Sequence, residues 1–228
     1  MEVLLIDHYD SFTHNVVEWL FACGLEVKIL PFDELSSSML QVNCPVVLSP
    51  GPKSPENVLP TVNLVKDCLG RVPILGICLG HQVLGYTFGG KIIPSKEPFH
   101  GIQRSIEIIA EKGPFTHFQQ CRFTAVTYNS LVIDRQTIPQ NFEVLAVNNF
   151  GEVEAVYCDV EMPALGVQFH PESFLSLGCE PIAKWWTEIC FSFYKADEIH
   201  KTPPETSSRA NVSAGLVELT TERYSSRN

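Results

Sequence analysis

The sequence predicts an α/β fold: a central, mostly parallel but mixed sheet flanked by helices, with a smaller antiparallel layer. Three observations carry this prediction. Between Val3 and Phe88, short apolar runs alternate with helix-compatible stretches, the pattern of a parallel sheet covered on both faces. From Gly90 onward, apolar runs recur at closer spacing with polar residues interleaved, as in antiparallel strands that have one wet face. Hydrophobic residues make up 45% and charged residues 18% of the 228-residue chain, which supplies the side chains for one sizeable core.

In chain order, strands are expected at residues 3–6, 27–30, 46–48 and 73–77, where Val, Ile and Leu run together and turn residues follow. Helices are expected at 13–23, 56–69 and 81–88, between those strands. The closely spaced strands fall at 91–93, 105–109, 123–128, 144–147, 153–157 and 165–169, and the alternation in Arg104-Ser105-Ile106-Glu107-Ile108 marks a half-buried pairing. A last helix at about 180–194 closes a domain spanning 1–195. Residues 196–228 contain Pro203-Pro204 and a Ser/Thr-rich stretch without periodicity, and read as a flexible polar tail or linker.

The net charge is −10, and residues 201–228 carry four basic and three acidic side chains, so the acidity belongs to the folded part. Nucleic acid is not an expected partner, because binding it relies on clustered Lys and Arg to neutralise phosphates. No run is apolar for long enough to span a bilayer, and the opening MEVLLIDHYD lacks the basic flank and length of a signal peptide. A cytoplasmic protein without a membrane partner is expected. Asn211-Val212-Ser213 matches a glycosylation acceptor by chance in that setting. Most of the eight cysteines, which form no C-x-x-C, read as reduced, buried, small hydrophobes, and one needs a different explanation.

That one is Cys78, in Pro73-Ile74-Leu75-Gly76-Ile77-Cys78-Leu79-Gly80-His81-Gln82, where an apolar strand meets G-x-C-x-G and then a helix. A nucleophile on a sharp strand-to-helix turn needs small neighbours because the flanking chain passes close by. A thiol at a helix N-terminus also meets free N–H groups and a dipole that favour the thiolate. The plainer alternative is a structural cysteine in a tight turn. In Gly166-Val167-Gln168-Phe169-His170-Pro171-Glu172-Ser173, residues two apart in an extended segment share a side, so Glu172 is placed to orient His170. One oriented imidazole can serve a thiol both as base and, for the leaving amine, as acid. Taken alone, this segment also reads as a surface turn ending a strand. Ser49-Pro50-Gly51-Pro52 follows the 46–48 strand, at the carboxyl edge where Cys78 is expected. Gly51 leaves a backbone N–H uncovered there, although a rigid crossover loop explains the motif as well.

In this order and setting, PGP, GICLGHQ and GVQFHPES resemble the class I, triad-type glutamine amidotransferases, from Val3 to about Tyr194. The resemblance implies that Cys78 is the nucleophile, His170 the acid and base, and Glu172 its orienting partner. It implies oxyanion N–H groups from Gly51 and Leu79, and glutamine contacts from Gly51, Pro52, Gln82, Ser130 and Leu131. No metal and no organic cofactor is implied. Tyr128-Asn129-Ser130-Leu131 aligns with a family segment usually written His-Ser-Leu, with Asn129 in place of the histidine. The other histidines, at 8, 14, 81, 100, 117 and 200, form no ligand cluster and read as structural or solvated.

Asp7-His8-Tyr9-Asp10-Ser11-Phe12-Thr13-His14-Asn15 resembles the opening of the subgroup that feeds chorismate-using synthases, of the anthranilate synthase component II and aminodeoxychorismate synthase type. Physically, Ser11 or Thr13 is also a candidate cap for the first helix. Phe99-His100-Gly101 resembles the H-G segment of that subgroup, with Ile102 where a basic residue is common. The implied partners are L-glutamine and a synthase subunit or domain that accepts the ammonia. Leu131-Val132-Ile133-Asp134 tilts the product toward aminodeoxychorismate over anthranilate. Two further readings stand beside this one: a γ-glutamyl hydrolase of the same fold, against which Gln82 and Glu172 argue, and a regulatory domain that binds a synthase without turnover.

Overall fold

The computed structural model describes residues 1–35, 42–98 and 101–201. Strands β1 (Glu2–Asp7), β2 (Glu26–Pro31), β3 (Val46–Leu48) and β4 (Ile74–Ile77) alternate with helices α1 (Thr13–Ala22), α2 (Leu59–Cys68) and α3 (Leu79–Thr87). Next come β5 (Ile92–Pro94), β6 (Ile102–Ile108), β7 (Arg122–Thr127), β8 (Leu131–Ile133), β9 (Glu143–Asn148), β10 (Val153–Cys158), β11 (Ala164–Val167) and the long α4 (Glu180–Lys201).

One nine-stranded sheet runs β2-β1-β3-β4-β11-β10-β9-β6-β7, and β5 pairs with β8 in a two-stranded sheet of its own. Pairing is parallel from β2 through to β11 and antiparallel from β11 to β7. All the closely spaced strands except the first, β5, therefore extend the main sheet, and the smaller antiparallel layer is the β5 and β8 pair.

Alternate residues of one strand face opposite sides of a sheet, and this chain buries both sides. Val3 and Leu5 of β1 pack in one cluster with Val16 and Leu20 of α1 and Trp186 of α4. Leu4 and Ile6 pack in the other with Val62 and Val65 of α2 and Val83 and Leu84 of α3. Two helices thus cover each face. Both strands that flank the site, β4 and β11, are buried at every position.

Several elements differ from expectation, three of them with a clear physical reason. Helix α2 starts at Leu59, because Pro55–Asn57 forms a separate 3-10 turn closed by a Ser54 and Asn57 capping box. Helix α4 continues past residue 194 to Lys201, across the expected domain end at 195, through Ala and charged residues that favour helix before Pro203. Strand β8 was not expected. Its three residues are too few to show a period, and its place is set by α3: a Cβ on Gly85 would lie 2.6 Å from Ile133 Cδ1. No helix among the described residues is long and apolar enough to cross a membrane.

Candidate active site

Cys78 sits between β4 and α3 with φ 52° and ψ −101°, one of two non-glycine residues with positive φ among those described. Such a backbone is strained for an L-residue and persists only where the surroundings impose it. Here they do. The Cys78 N–H donates to the Val167 carbonyl at 2.9 Å, and its own carbonyl accepts from Gln82 N at 3.1 Å. A Cβ on Gly76 would lie 2.5 Å from the Gly80 carbonyl oxygen, and one on Gly80 would overlap the Leu48 backbone of β3. The turn is closed against itself and against the next strand, so glycine is required on both sides of the thiol.

The parallel register pairs Gly76 with Gly166 and Ile77 with Val167, so the chains leaving β4 and β11 run side by side. Their next residues, Cys78 and Gln168, touch: Gln168 Nε2 donates to Cys78 Sγ at 3.6 Å. Two residues on, His170 is held by its N–H on the Val126 carbonyl at 3.0 Å. His170 Nδ1 meets Glu172 Oε1 at 2.7 Å, and both side chains are almost wholly buried. Phe12 and Tyr128 box the imidazole, with ring centroids 5.3 and 4.9 Å from it.

Burial is the largest influence on His170 and opposes its charge, but the Glu172 carboxylate and the adjacent Cys78 outweigh it and push the imidazolium up to about 10. His170 Nε2 is buried without a hydrogen-bond partner among the described residues, and His170 shares a cavity with Cys78. That cavity, about 570 Å³, is also lined by Gly51, Pro52, Leu79, Gln82, Ser130 and Leu131. The size suits a small metabolite. Every residue read from the sequence as a site residue is therefore in one place, with Glu172 behind His170 and the others on the cavity wall.

The loop after β3 meets the elbow closely: a Cβ on Gly51 would lie 2.5 Å from Leu79 Cδ2 and 2.8 Å from His8 Cβ. His8 pins that loop, with Nδ1 3.0 Å from the Ser49 carbonyl oxygen and Nε2 3.0 Å from Thr61 Oγ1. Burial pushes His8 down to about 4 and His81 down to about 3, so both are neutral structural residues. The substituted Asn129 is buried, and its Nδ2 donates to the Leu131 carbonyl at 3.0 Å. Among the described residues, no group of three His, Cys, Asp or Glu could hold a metal ion.

The opening segment needs a correction. Neither Ser11 nor Thr13 caps α1: the cap position is Phe12, without a side-chain bond. Thr13 Oγ1 donates instead to Asp7 Oδ1 at 2.8 Å, while Asp10 Oδ1 accepts from Phe12 N at 2.8 Å. These bonds fold the loop so that Phe12 lies on His170. Phe99 and His100 lie outside the described residues, and Ile102 opens β6 with 41% of its surface exposed.

Among the residues that the sequence leaves unassigned, Phe12 and Tyr128 pack on His170 and Gln168 touches Cys78. Gln168 had a signal, since it lies two residues before His170 as Glu172 lies two after. The aromatic pair had none, because their meeting depends on separate loops.

The family model for class-I glutamine amidotransferases matches residues 4–187. The bifunctional protein TrpGD of Thermotoga maritima is 39% identical over 178 residues, covering 76% of this chain but 30% of that much longer protein. The aminodeoxychorismate/anthranilate synthase component 2 of Bacillus subtilis is 34% identical over 178 residues, covering 76% of this chain and 89% of that one. Among solved structures, a glutamine amidotransferase from Thermotoga maritima superimposes with a TM-score of 0.60 at 20% identity, covering 87% of this chain and 86% of that one, a likeness of fold. With the matched span running from β1 into α4, and a relative of similar length covered almost end to end, the chain belongs to the class I glutamine amidotransferase family.

Proposed function

We propose that this chain hydrolyses L-glutamine to glutamate and ammonia through a Cys78, His170 and Glu172 triad, and delivers the ammonia to a chorismate-using synthase. The observation that carries the reading is the strained Cys78 turn sharing a cavity with a histidine whose far nitrogen is locked to Glu172 at 2.7 Å.

In this reading the Cys78 sulfur attacks the side-chain amide carbon of glutamine. The developing oxyanion lies between the Leu79 N–H, at the first position of α3, and the Gly51 N–H, on the loop packed against it. His170 carries the proton and gives it to the departing nitrogen, so ammonia leaves and a glutamyl thioester remains. Glu172 accepts from Nδ1–H and thereby presents Nε2 to the reacting atoms. Water, deprotonated by the same imidazole, releases glutamate. Pro52, Gln82, Ser130 and Leu131 line the remainder of the cavity and hold the amino acid end. Proton and acyl transfers complete this half reaction, and no cofactor takes part.

The catalytic unit in this proposal is the expected 1–195 domain with its last helix carried on to Lys201, and the residues after that helix are a tail or linker. A relative named for both aminodeoxychorismate and anthranilate synthesis supports the chorismate-using partner. The Leu131 to Asp134 segment favours aminodeoxychorismate as product, with anthranilate the alternative.

The test is to mix the protein with each synthase subunit, chorismate and glutamine, then measure glutamate and identify the aromatic product by mass. Glutamate release that Cys78→Ser abolishes is expected. Undiminished turnover in that variant would sink the mechanism.

A further inference from the structure

Gln168 is fully buried, touches Cys78, and has no part in the steps above. Its orientation follows from a chain of hydrogen bonds with one allowed direction. The Leu131 carbonyl oxygen can only accept. Two amides turn their nitrogens to it, Gln82 Nε2 at 2.9 Å and Asn129 Nδ2 at 3.0 Å. Reversing Gln82 would set oxygen against oxygen, so its nitrogen is fixed there. That nitrogen has a second hydrogen, directed at Gln168 Oε1 at 3.0 Å. Reversing Gln168 would set nitrogen against nitrogen, so its oxygen faces Gln82 and its Nε2 faces Cys78 Sγ at 3.6 Å. A backbone carbonyl of β8 thus dictates, through two buried amides, that the sulfur meets a donor. It also leaves the Gln82 oxygen as that amide's free acceptor in the cavity that Gln82 lines.

We infer that Gln168 is a positioning residue of this site: it donates to the Cys78 sulfur and, by accepting from Gln82, holds Gln82 with its oxygen available to the substrate. The inference rests on the glutaminase reading for its kinetic consequence, but not for its effect on the thiol. A donor at the sulfur favours the form that carries negative charge before attack and when the thioester breaks. A fixed Gln82 acceptor selects an N–H of the substrate. Asn129 joins the same relay, its Nδ2 donating to the Leu131 carbonyl at the head of the chain.

The test uses Gln168→Met, which keeps the shape and removes both hydrogen bonds, and Gln168→Glu, which sets a carboxylate beside the sulfur. Iodoacetamide alkylation of the Cys78 peptide, followed by mass spectrometry across pH, reads the thiol without glutamine turnover. In Gln168→Glu the midpoint moves to higher pH by about one unit or more. In Gln168→Met, kcat for glutamine hydrolysis falls about tenfold or more, and KM rises as Gln82 loosens. Alkylation profiles that superimpose on the wild type in both variants, with kcat within about twofold, would overturn the assignment and leave Gln168 a packing residue. If the Gln168 variants fail to fold, Gln82→Met frees the Gln168 amide to rotate and moves the same midpoint up by a smaller step; an unchanged midpoint there overturns the relay. Failure of the glutaminase reading is distinguishable, since wild-type protein would then release no glutamate with any synthase while the alkylation profiles still separate.

Discussion

Replacing Glu154 by glutamine should stabilise the protein, and increasingly so as pH rises. Glu154 lies on β10 and is 1% exposed; its Oε1 accepts from Asn148 Nδ2 at 2.9 Å, and its Oε2 has no hydrogen-bond partner among the described residues. Burial, the largest influence, pushes its carboxyl from 4.5 up to about 8, against the Asn148 hydrogen bond and Arg104 and with the help of Glu152. Between those two values the folded state holds a proton that the unfolded chain has released. Stability from this group is therefore complete below about pH 4.5 and is lost as pH rises through about 8. The span of about three and a half units corresponds to an effect on the order of 5 kcal/mol. In Glu154→Gln the new amide would keep an acceptor for Asn148 and carry no titrating proton, so the loss disappears. Urea unfolding followed by the fluorescence of the buried Trp186 is the assay, at pH 5.5, 7 and 8.5. The two proteins should be within about 1 kcal/mol at the lowest pH, and the variant ahead by a few kcal/mol at the highest. Contributions from other titrating groups, His8 and His81 among them, cancel in the difference. Parallel stability curves across the range would refute the reasoning.

Gly80→Ala would drive a methyl into the Leu48 backbone, which cannot yield without moving β3, so a loss of soluble folded protein or of at least about 3 kcal/mol is expected by denaturation. Glu172→Gln keeps the shape of the His170 contact but replaces a charge-assisted bond by a neutral one; kcat for glutamine should fall about 10- to 100-fold with little change in KM, and unchanged kcat would count against the triad. Proton-detected titration of the imidazoles should find His8 neutral down to about pH 5 and His170 still protonated at neutral pH, whereas a His8 midpoint near 6.5 would contradict its burial. On the linkage argument, His8 contributes stability that is present above pH 6.5 and lost as pH falls through about 4.

The elements legible in the sequence were those in which period and composition agree. The β1, β3 and β4 strands are built on Val, Ile and Leu, broken within them only by Gly76, because both their faces are buried, and a run of that kind has little else to become. The site was legible through a resemblance: the glycine-flanked cysteine after a buried strand and the histidine two residues from a glutamate each allow a plain structural turn when read alone, and their order beside the PGP loop, matched to a known family, singled them out. The β8 strand was not legible, since three residues carry no period and its partner β5 lies some forty residues earlier. Ser11 and Thr13 have the right chemistry for capping α1, but short-range bonds to Asp7 and Asp10, six and two residues from their donors, use the loop differently.

By itself the sequence determined the alternation of strands and helices, the glycine-flanked turn that carries Cys78, and the spacing that pairs His170 with Glu172, because each is a local property of backbone geometry and side-chain type. Only the tertiary structure decided that β4 and β11 lie in parallel register, which brings the two motifs, ninety residues apart, into contact at Cys78 and Gln168. It alone decided the direction of the amide relay and the aromatic box around His170, since hydrogen-bond polarity and ring contacts depend on which strands become neighbours, and that choice is made by burial over the whole sheet.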